Sequence, residues 1–180
     1  MKYYIYDCLQ LSSTMKSSKK IISPLASFNY HLENYNGLIR SFRKNKDISH
    51  IGSMLNDCYT SELTSKIVGK DYDALVLTDK SQKIVWVNDG FNEMTGYSKK
   101  FAIGKKPSFL QGDKTSEKVK KQLREELAFN HTFSGSILNY RKNGELYLCK
   151  INILPIYNLD EKLKYFIAIE KDETRMNQYF

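Results

Sequence analysis

The sequence predicts an α+β fold, a five-stranded antiparallel sheet with helices on one face, preceded by N-terminal helices. Five β-prone runs supply the strands, and a helical region separates the second run from the third. An Asn-Gly pair at 143–144 lies between two of these runs. It predicts a hairpin, because such turns need a residue with positive φ.

The chain of 180 residues divides into three parts. An N-terminal extension, 1–71, begins with a short β-prone segment and a polar stretch, and then carries two predicted amphipathic helices, at 24–44 and 48–68. A domain at 72–174 follows, because the apolar periodicity there changes to that of strands. A short tail occupies 175–180.

The first predicted helix carries a regular apolar stripe. Its members are spaced alternately by three and four residues, which is the pattern of helices that pair with one another. This pattern favours a homodimer or a protein partner, while packing of the helix on its own domain is an equal alternative. The stripe consists of Leu25, Phe28, Leu32, Tyr35, Ile39 and Phe42.

The elements of the main domain follow one another in a clear order. Two β runs, Ala74–Thr78 and Lys83–Val87, are joined by a polar turn, and short helical pieces broken by glycine come next. The last three β runs are Phe133–Arg141, Leu146–Tyr157 and Lys164–Lys171.

An amphipathic helix is predicted before the third strand, within residues 116–130. Its apolar residues recur at helical spacing, so one face should pack on the sheet. The residues expected to point inward are Val119, Leu123, Leu127 and Phe129.

Composition and charge exclude several classes of protein. The chain is 41% hydrophobic and 27% charged, and no apolar run is long enough to cross a membrane. No signal peptide is recognisable, so a cytoplasmic location is expected. The net charge of +8 comes from scattered lysines without a DNA- or RNA-binding motif, which makes nucleic acid only a minor alternative as a partner. Three widely spaced cysteines predict no metal site.

Five short motifs together resemble the PAS fold and, within it, the flavin-binding light-oxygen-voltage (LOV) branch. They occur in the family's order and extend the resemblance over residues 72–174. The resemblance implies a sensory or regulatory role exerted through protein contacts of the helices or the sheet. The motifs are VNDGF at 87–91, TGYS at 95–98, FLQG at 109–112, LNYRKNG at 138–144 and LPI at 154–156.

The photochemistry of the LOV branch requires a cysteine in the motif GxNCRFLQ. This chain carries Pro107 at that position, with Lys106 and Ser108 in place of the flanking asparagine and arginine. Only a thiol adds to the flavin ring, so the resemblance implies no cysteinyl-flavin adduct here. Proline also lacks a backbone N–H and fixes φ, so we expect a changed helical turn.

The resemblance also places candidate pocket residues on this chain. Some keep the family's residue type, whereas a cysteine replaces a ring-contacting asparagine and a glutamate replaces the signalling glutamine. The matching positions are Gln111, Arg124 and Asn139, the replaced ones are Cys149 and Glu170, and Asn88 is a further candidate.

These departures lead us to expect a pocket filled by side chains and no cofactor. Phe109 would then lie in the core as a plug. Two alternatives remain open. In one the pocket holds flavin mononucleotide (FMN) as a redox or light sensor without the adduct, and in the other it holds a different small ligand. No catalytic or phosphate-binding motif occurs, so we expect no enzymatic activity.

Overall fold

The computed structural model describes residues 24–58 and 60–174. The β-prone segment and the polar stretch of 1–20, and the tail at 175–180, lie outside this part. The chain forms two compact units, divided between Phe42 and Arg43.

A five-stranded antiparallel sheet forms the centre of the second unit, as predicted. Its strands lie in the order β2-β1-β5-β4-β3, so the first and last strands in sequence are neighbours. Gly144 has φ of 87° in the turn between β3 and β4, which confirms the predicted hairpin. The strands are β1 (Ala74–Asp79), β2 (Ile84–Val87), β3 (Phe133–Tyr140), β4 (Leu146–Tyr157) and β5 (Leu163–Asp172).

Five α-helices and two short 3-10 turns accompany the sheet in the described residues. The 3-10 turns are Asn56–Cys58 and Pro107–Leu110. The helices are α1 (Pro24–Leu55), α2 (Ser61–Val68), α3 (Asp89–Thr95), α4 (Lys99–Ala102) and α5 (Glu117–Ala128).

The predicted boundary between the two N-terminal helices is wrong. Helix α1 continues through residues 45–47, where no glycine or proline interrupts it. The charged residues there also find partners, since the Lys46 ammonium lies 3.0 Å from the Asp89 carboxylate. The helix ends instead at Leu55, before Asn56, whose φ of 40° is typical of a helix C-terminus.

The sheet is covered by helices on both faces, because side chains alternate between the faces along each strand. Helices α3 and α5 pack on one face, where Phe166 and Ala168 of β5 are buried. The last two turns of α1, from Ile48 on, and helix α2 cover the other face, where Ile167 and Ile169 of β5 are buried. The second covered face adds a helical layer to the one predicted from the sequence.

Helix α5 packs on the sheet as predicted, except at its end. Val119, Leu123 and Leu127 lie partly buried against the first face of the sheet. Phe129 is 72% exposed, contrary to the prediction, because the helix ends at Ala128 and the chain turns away.

Candidate functional site

A cavity of about 290 Å³ lies between the first face of the sheet and the segments that carry Pro107 and α5. Its volume is at the lower end of the range for small-molecule sites, about 300–1,000 Å³. Strand residues line one wall, and three leucines from the helical side line the other. The apolar lining residues are Val76, Leu110, Leu123, Leu127, Ile137, Ile151, Ile153, Phe166 and Ala168.

The open cavity corrects the expectation of a pocket filled by side chains. Phe109, expected as a plug, packs instead against Tyr97 and Phe101, with ring centroids 5.1 and 5.5 Å away. It does not line the cavity. The space between sheet and helices therefore remains available to a ligand.

Two buried oxygen atoms in the cavity lining have no hydrogen-bond partner. They are Oδ1 of Asn139 on β3 and Oε2 of Glu170 on β5. The Asn139 amide nitrogen donates a long hydrogen bond of 3.5 Å to the Tyr147 hydroxyl, which leaves its oxygen unused. Buried polar atoms are normally paired, so these two indicate a place for a polar ligand.

The carboxyl of Glu170 is buried in the site. Glu170 is only 3% exposed, and burial raises the pKa of its carboxyl to about 7, from the ordinary value of 4.5. The carboxyl therefore exists in both protonation states at neutral pH. Its neutral form donates a hydrogen bond, whereas its ionised form only accepts them.

Three cationic side chains also line the cavity, from its helical side. Lys106 precedes the 3-10 turn, and Lys120 and Arg124 lie on α5. Lys106 and Arg124 are solvent-exposed, so they belong to the mouth rather than the interior. The mouth is therefore positively charged and suited to an anionic group.

Pro107 lines the cavity and begins the 3-10 turn that follows Lys106. A proline at the first position of a helical turn removes only an N–H that the turn does not use. A helical turn is therefore kept despite the proline. Gln111, at the end of this turn, also lines the cavity, as predicted.

Cys149, a further candidate, is not among the residues that line the cavity. It is fully buried in the apolar cluster on the first face of the sheet. Burial, together with nearby Glu170 and Asp172, raises the pKa of its thiol. A thiol that stays protonated is a poor nucleophile, so Cys149 packs as a small apolar residue.

Asn88 is also outside the cavity, and its side chain has a structural role. Its Oδ1 accepts hydrogen bonds from the backbone N–H groups of Leu75 and Phe91, at 3.0 and 3.1 Å, which caps helix α3. Its Nδ2 donates to the Asp47 carboxylate at 2.8 Å. The hydrogen-bonding groups of the Asn88 side chain are thus already occupied within the fold.

The structure thus brings together Gln111, Arg124, Asn139 and Glu170 with Pro107, and leaves out the other two candidates. Sequence reasoning missed Gln82 and Lys120 as lining residues. Lys120 was visible only as one of many scattered lysines, although its spacing of four from Arg124 puts both on one helix face.

Two other kinds of site are absent from the part of the chain that the structure describes. No group of three or more histidine, cysteine, aspartate or glutamate side chains there is arranged to hold a metal ion. No helix in the same part of the chain is both long and apolar enough to span a membrane.

Comparison with known proteins identifies the family. The sequence profile described as the PAS domain matches residues 73–175, more than half of the chain. The chain belongs to the PAS domain family. The match begins and ends within one residue of the limits predicted for the main domain.

The most similar relatives of this PAS domain include light-responsive proteins. A blue-light photoreceptor of Listeria innocua is 39% identical over 108 residues, which are 58% of this chain and 42% of that protein. A blue-light-activated histidine kinase of Erythrobacter litoralis is 33% identical over 102 residues, 55% of this chain and 30% of the kinase. The chain therefore spans less than half the length of these relatives.

Among solved structures, the LOV domain of an Erythrobacter litoralis blue-light activated histidine kinase resembles this fold. The two are 32% identical with a TM-score of 0.54, and the match covers 58% of this chain and 98% of that domain. The PAS domain described here is thus similar in sequence and in fold to LOV-type sensory domains.

Proposed function

We propose that this chain is a sensory PAS domain of the LOV type that holds FMN in its cavity without a covalent bond. The observation that carries this proposal is the open cavity with two unpaired buried oxygens and a cationic mouth. The light-responsive relatives favour FMN over other ligands of similar shape. The domain senses and transmits, and it has no catalytic role.

The lining residues fit the chemistry of FMN. Its ring system is flat and largely apolar with one polar edge, which suits a cavity between a sheet and apolar helical side chains. Asn139 would meet the polar edge, since its amide oxygen is buried without a partner. Arg124 and Lys106 at the mouth would hold the phosphate, in the place of the arginine that the family motif has at Ser108.

FMN supplies light absorption and electron-accepting chemistry when it is bound. The residues of this chain bind and orient it. Apolar walls exclude water from the ring, and the carboxyl of Glu170 holds or releases a proton beside it. Pro107 offers no thiol, so the response to light or to redox change rests on non-covalent contacts.

We further propose that the output passes through the N-terminal helices as protein contacts. Residues 48–67 lie on the opposite face of the sheet from the cavity. The apolar stripe predicted for the first helix supports pairing with a second copy, because Leu32, Tyr35 and Phe42 are exposed. The side chains of Leu25 and Phe28 lie outside the described part.

An absorbance spectrum tests the proposal first. The purified protein is measured as isolated, and again after incubation with FMN and desalting. Retained absorbance in the blue region supports flavin binding, and Leu123→Trp, which fills the cavity from α5, should abolish the retention. A protein that keeps no flavin at any concentration tested contradicts the proposal.

A further inference from the structure

The cavity contains an ionisable group where a ring ligand would meet the sheet. We propose that Glu170 makes flavin binding depend on the uptake of one proton, with the neutral carboxyl admitting the ring and the ionised carboxylate excluding it. This inference rests on the proposed function, because it assigns a control to the same cavity. It concerns a residue in which this chain departs from the LOV pattern.

The geometry places the carboxyl in direct reach of a ligand. Glu170 lies on the central strand β5, between Ala74 of β1 and Ile151 of β4. Its Oε2 is buried without any hydrogen-bond donor, and it lines the cavity. A ligand that fills the cavity therefore becomes the partner of this atom.

Arg141 is a partly buried cation beside this part of the sheet, and its guanidinium is paired with Asp172 at 2.7 Å and lies over the Tyr147 ring rather than against Glu170. Tyr147 and Cys149 of β4 are near enough to interact with Glu170, and both are neutral at pH 7, because burial raises the pKa of each side chain. Asn139 of β3 is uncharged, and the cavity-lining cations Lys106, Lys120 and Arg124 come from the helical side. Burial is accordingly the main cause of the raised pKa of Glu170.

Hydrogen-bonding rules then decide which form binds. The polar edge of an oxidised flavin has one donor, the N3–H, for which Oδ1 of Asn139 is a free acceptor, while its carbonyl oxygens and the nitrogens N1 and N5 are acceptors. An ionised Glu170 facing these acceptors is itself acceptor-only, so it would repel them in a site that excludes water. A neutral carboxyl donates one hydrogen bond to the same edge. Binding therefore stabilises the protonated form.

Linkage gives the size of the effect. If only the protonated form binds, affinity is constant well below the pKa of about 7 and falls tenfold for each pH unit well above it. From pH 6 to pH 8.5 the dissociation constant should rise by about 30-fold. At pH 8.5 binding should take up about one proton per ligand.

Riboflavin is the probe of choice, because it has the same ring and lacks the phosphate that itself titrates near neutral pH. Quenching of its fluorescence gives the dissociation constant of the full chain from pH 6 to pH 8.5. Calorimetry at pH 8.5 in two buffers of different ionisation enthalpy counts the protons taken up. Glu170→Gln keeps the size and donor capacity of the side chain and removes its titration.

The expected result is a pH-dependent affinity and proton uptake in the unchanged protein, both absent in Glu170→Gln. Glu173→Gln is the matched control, since it removes a carboxyl on nearby chain that does not line the cavity, and it should behave as the unchanged protein. If Glu170→Gln fails to fold, the number of protons taken up on binding by the unchanged protein still tests the inference.

Failure of this inference and failure of the proposed function give different results. Riboflavin binding with the same affinity at all pH values, or with the same pH profile in Glu170→Gln, overturns the role of Glu170 and leaves the proposed function standing. Absence of both riboflavin and FMN binding at every pH, in both proteins, overturns the proposed function and this inference with it.

Discussion

Asp47 on helix α1 accepts a hydrogen bond of 2.8 Å from the side-chain amide of Asn88, and both residues are buried. The Tyr72 hydroxyl donates to the same carboxylate oxygen at 3.3 Å. Because Asn88 also caps α3, this contact is one of those that join helix α1 to the start of the main domain. A polar residue thus secures the helix beside its apolar contacts.

Replacement of Asp47 by asparagine should alter the pH dependence of stability. Burial raises the pKa of Asp47 above its ordinary value of 3.8, and hydrogen bonds from Asn88 and Tyr72 offset only part of that rise. The folded state thus binds this proton more tightly than the unfolded state. Asp47 contributes its full stability below pH 3.8 and loses it as the pH rises through the folded pKa.

Urea unfolding of both proteins between pH 4 and pH 7 measures this effect. The unchanged protein should gain stability relative to Asp47→Asn as the pH falls. Asp47→Ala is the contrasting variant, because it leaves two buried donors unpaired and should lose about 1–3 kcal/mol at pH 7. Parallel pH profiles for the unchanged protein and Asp47→Asn would show that the carboxyl does not titrate in this way.

Arg124→Ala should weaken binding of FMN and leave riboflavin unaffected. Arg124 lines the cavity from α5 and is solvent-exposed, which places it at the mouth, where the phosphate of FMN is proposed to lie. Loss of a hydrogen bond between charged groups costs about 1.5–3 kcal/mol, so FMN affinity should fall by about 10- to 100-fold.

Fluorescence titration with both ligands measures the difference. Lys121→Ala is the control, since that side chain is 73% exposed, lies near Glu125 at 3.8 Å and does not line the cavity. An equal loss for FMN and riboflavin would mean that Arg124 supports the fold of the cavity rather than the phosphate.

Pro107→Cys should give the cavity a thiol without disturbing the chain. Position 107 begins the 3-10 turn and lines the cavity, and cysteine tolerates the backbone that proline adopts there. With FMN bound, blue light should remove much of the blue absorbance, which should return in the dark. The unchanged protein and Pro107→Ser should show no such cycle, and an identical response in Pro107→Ser would rule out the thiol as its cause.

Ile39→Glu should dissociate a dimer formed through the apolar stripe of the first helix. A charge in the middle of the stripe has no partner in a paired helix and must be desolvated. Light scattering over a range of concentrations should give the monomer mass of 21.0 kDa for the variant and about twice that for the unchanged protein.

Asn34→Glu serves as the control for this experiment, because Asn34 lies about 140° around the helix from Ile39, away from the stripe. It should leave the mass unchanged. A monomer mass for the unchanged protein at all concentrations would contradict pairing through the stripe.

The strands were predictable because their signals are local. Alternating apolar residues and the Asn-Gly turn placed β3 and β4 to within one residue. The end of α1 was not predictable in this way. The polar residues at 45–47 indicate a break, yet Asp47 lies within the helix and its carboxylate is paired with Asn88, 41 residues further along the chain.

The candidate site also combines features that the sequence predicts with one that it does not. Gln111, Asn139 and Glu170 were placed by motif resemblance, and the cavity brings them together. Whether the cavity is open depends instead on the packing of side chains from separate elements. Phe109 is an example, because it packs against Tyr97 and Phe101 rather than into the cavity, and no sequence pattern records that direction.

Strand β5 presents neighbouring residues to two different layers, with Glu170 in the cavity and Ile169 against the N-terminal helices. The two layers therefore meet on adjacent residues of one strand, which offers a direct route for coupling between them. Allosteric coupling is reciprocal by thermodynamic necessity. If a partner protein binds the helical layer with higher affinity when the cavity is filled, then its binding raises the affinity of the cavity for the ligand by the same factor. The abundance of that protein in the cell would then set the sensitivity of the sensor.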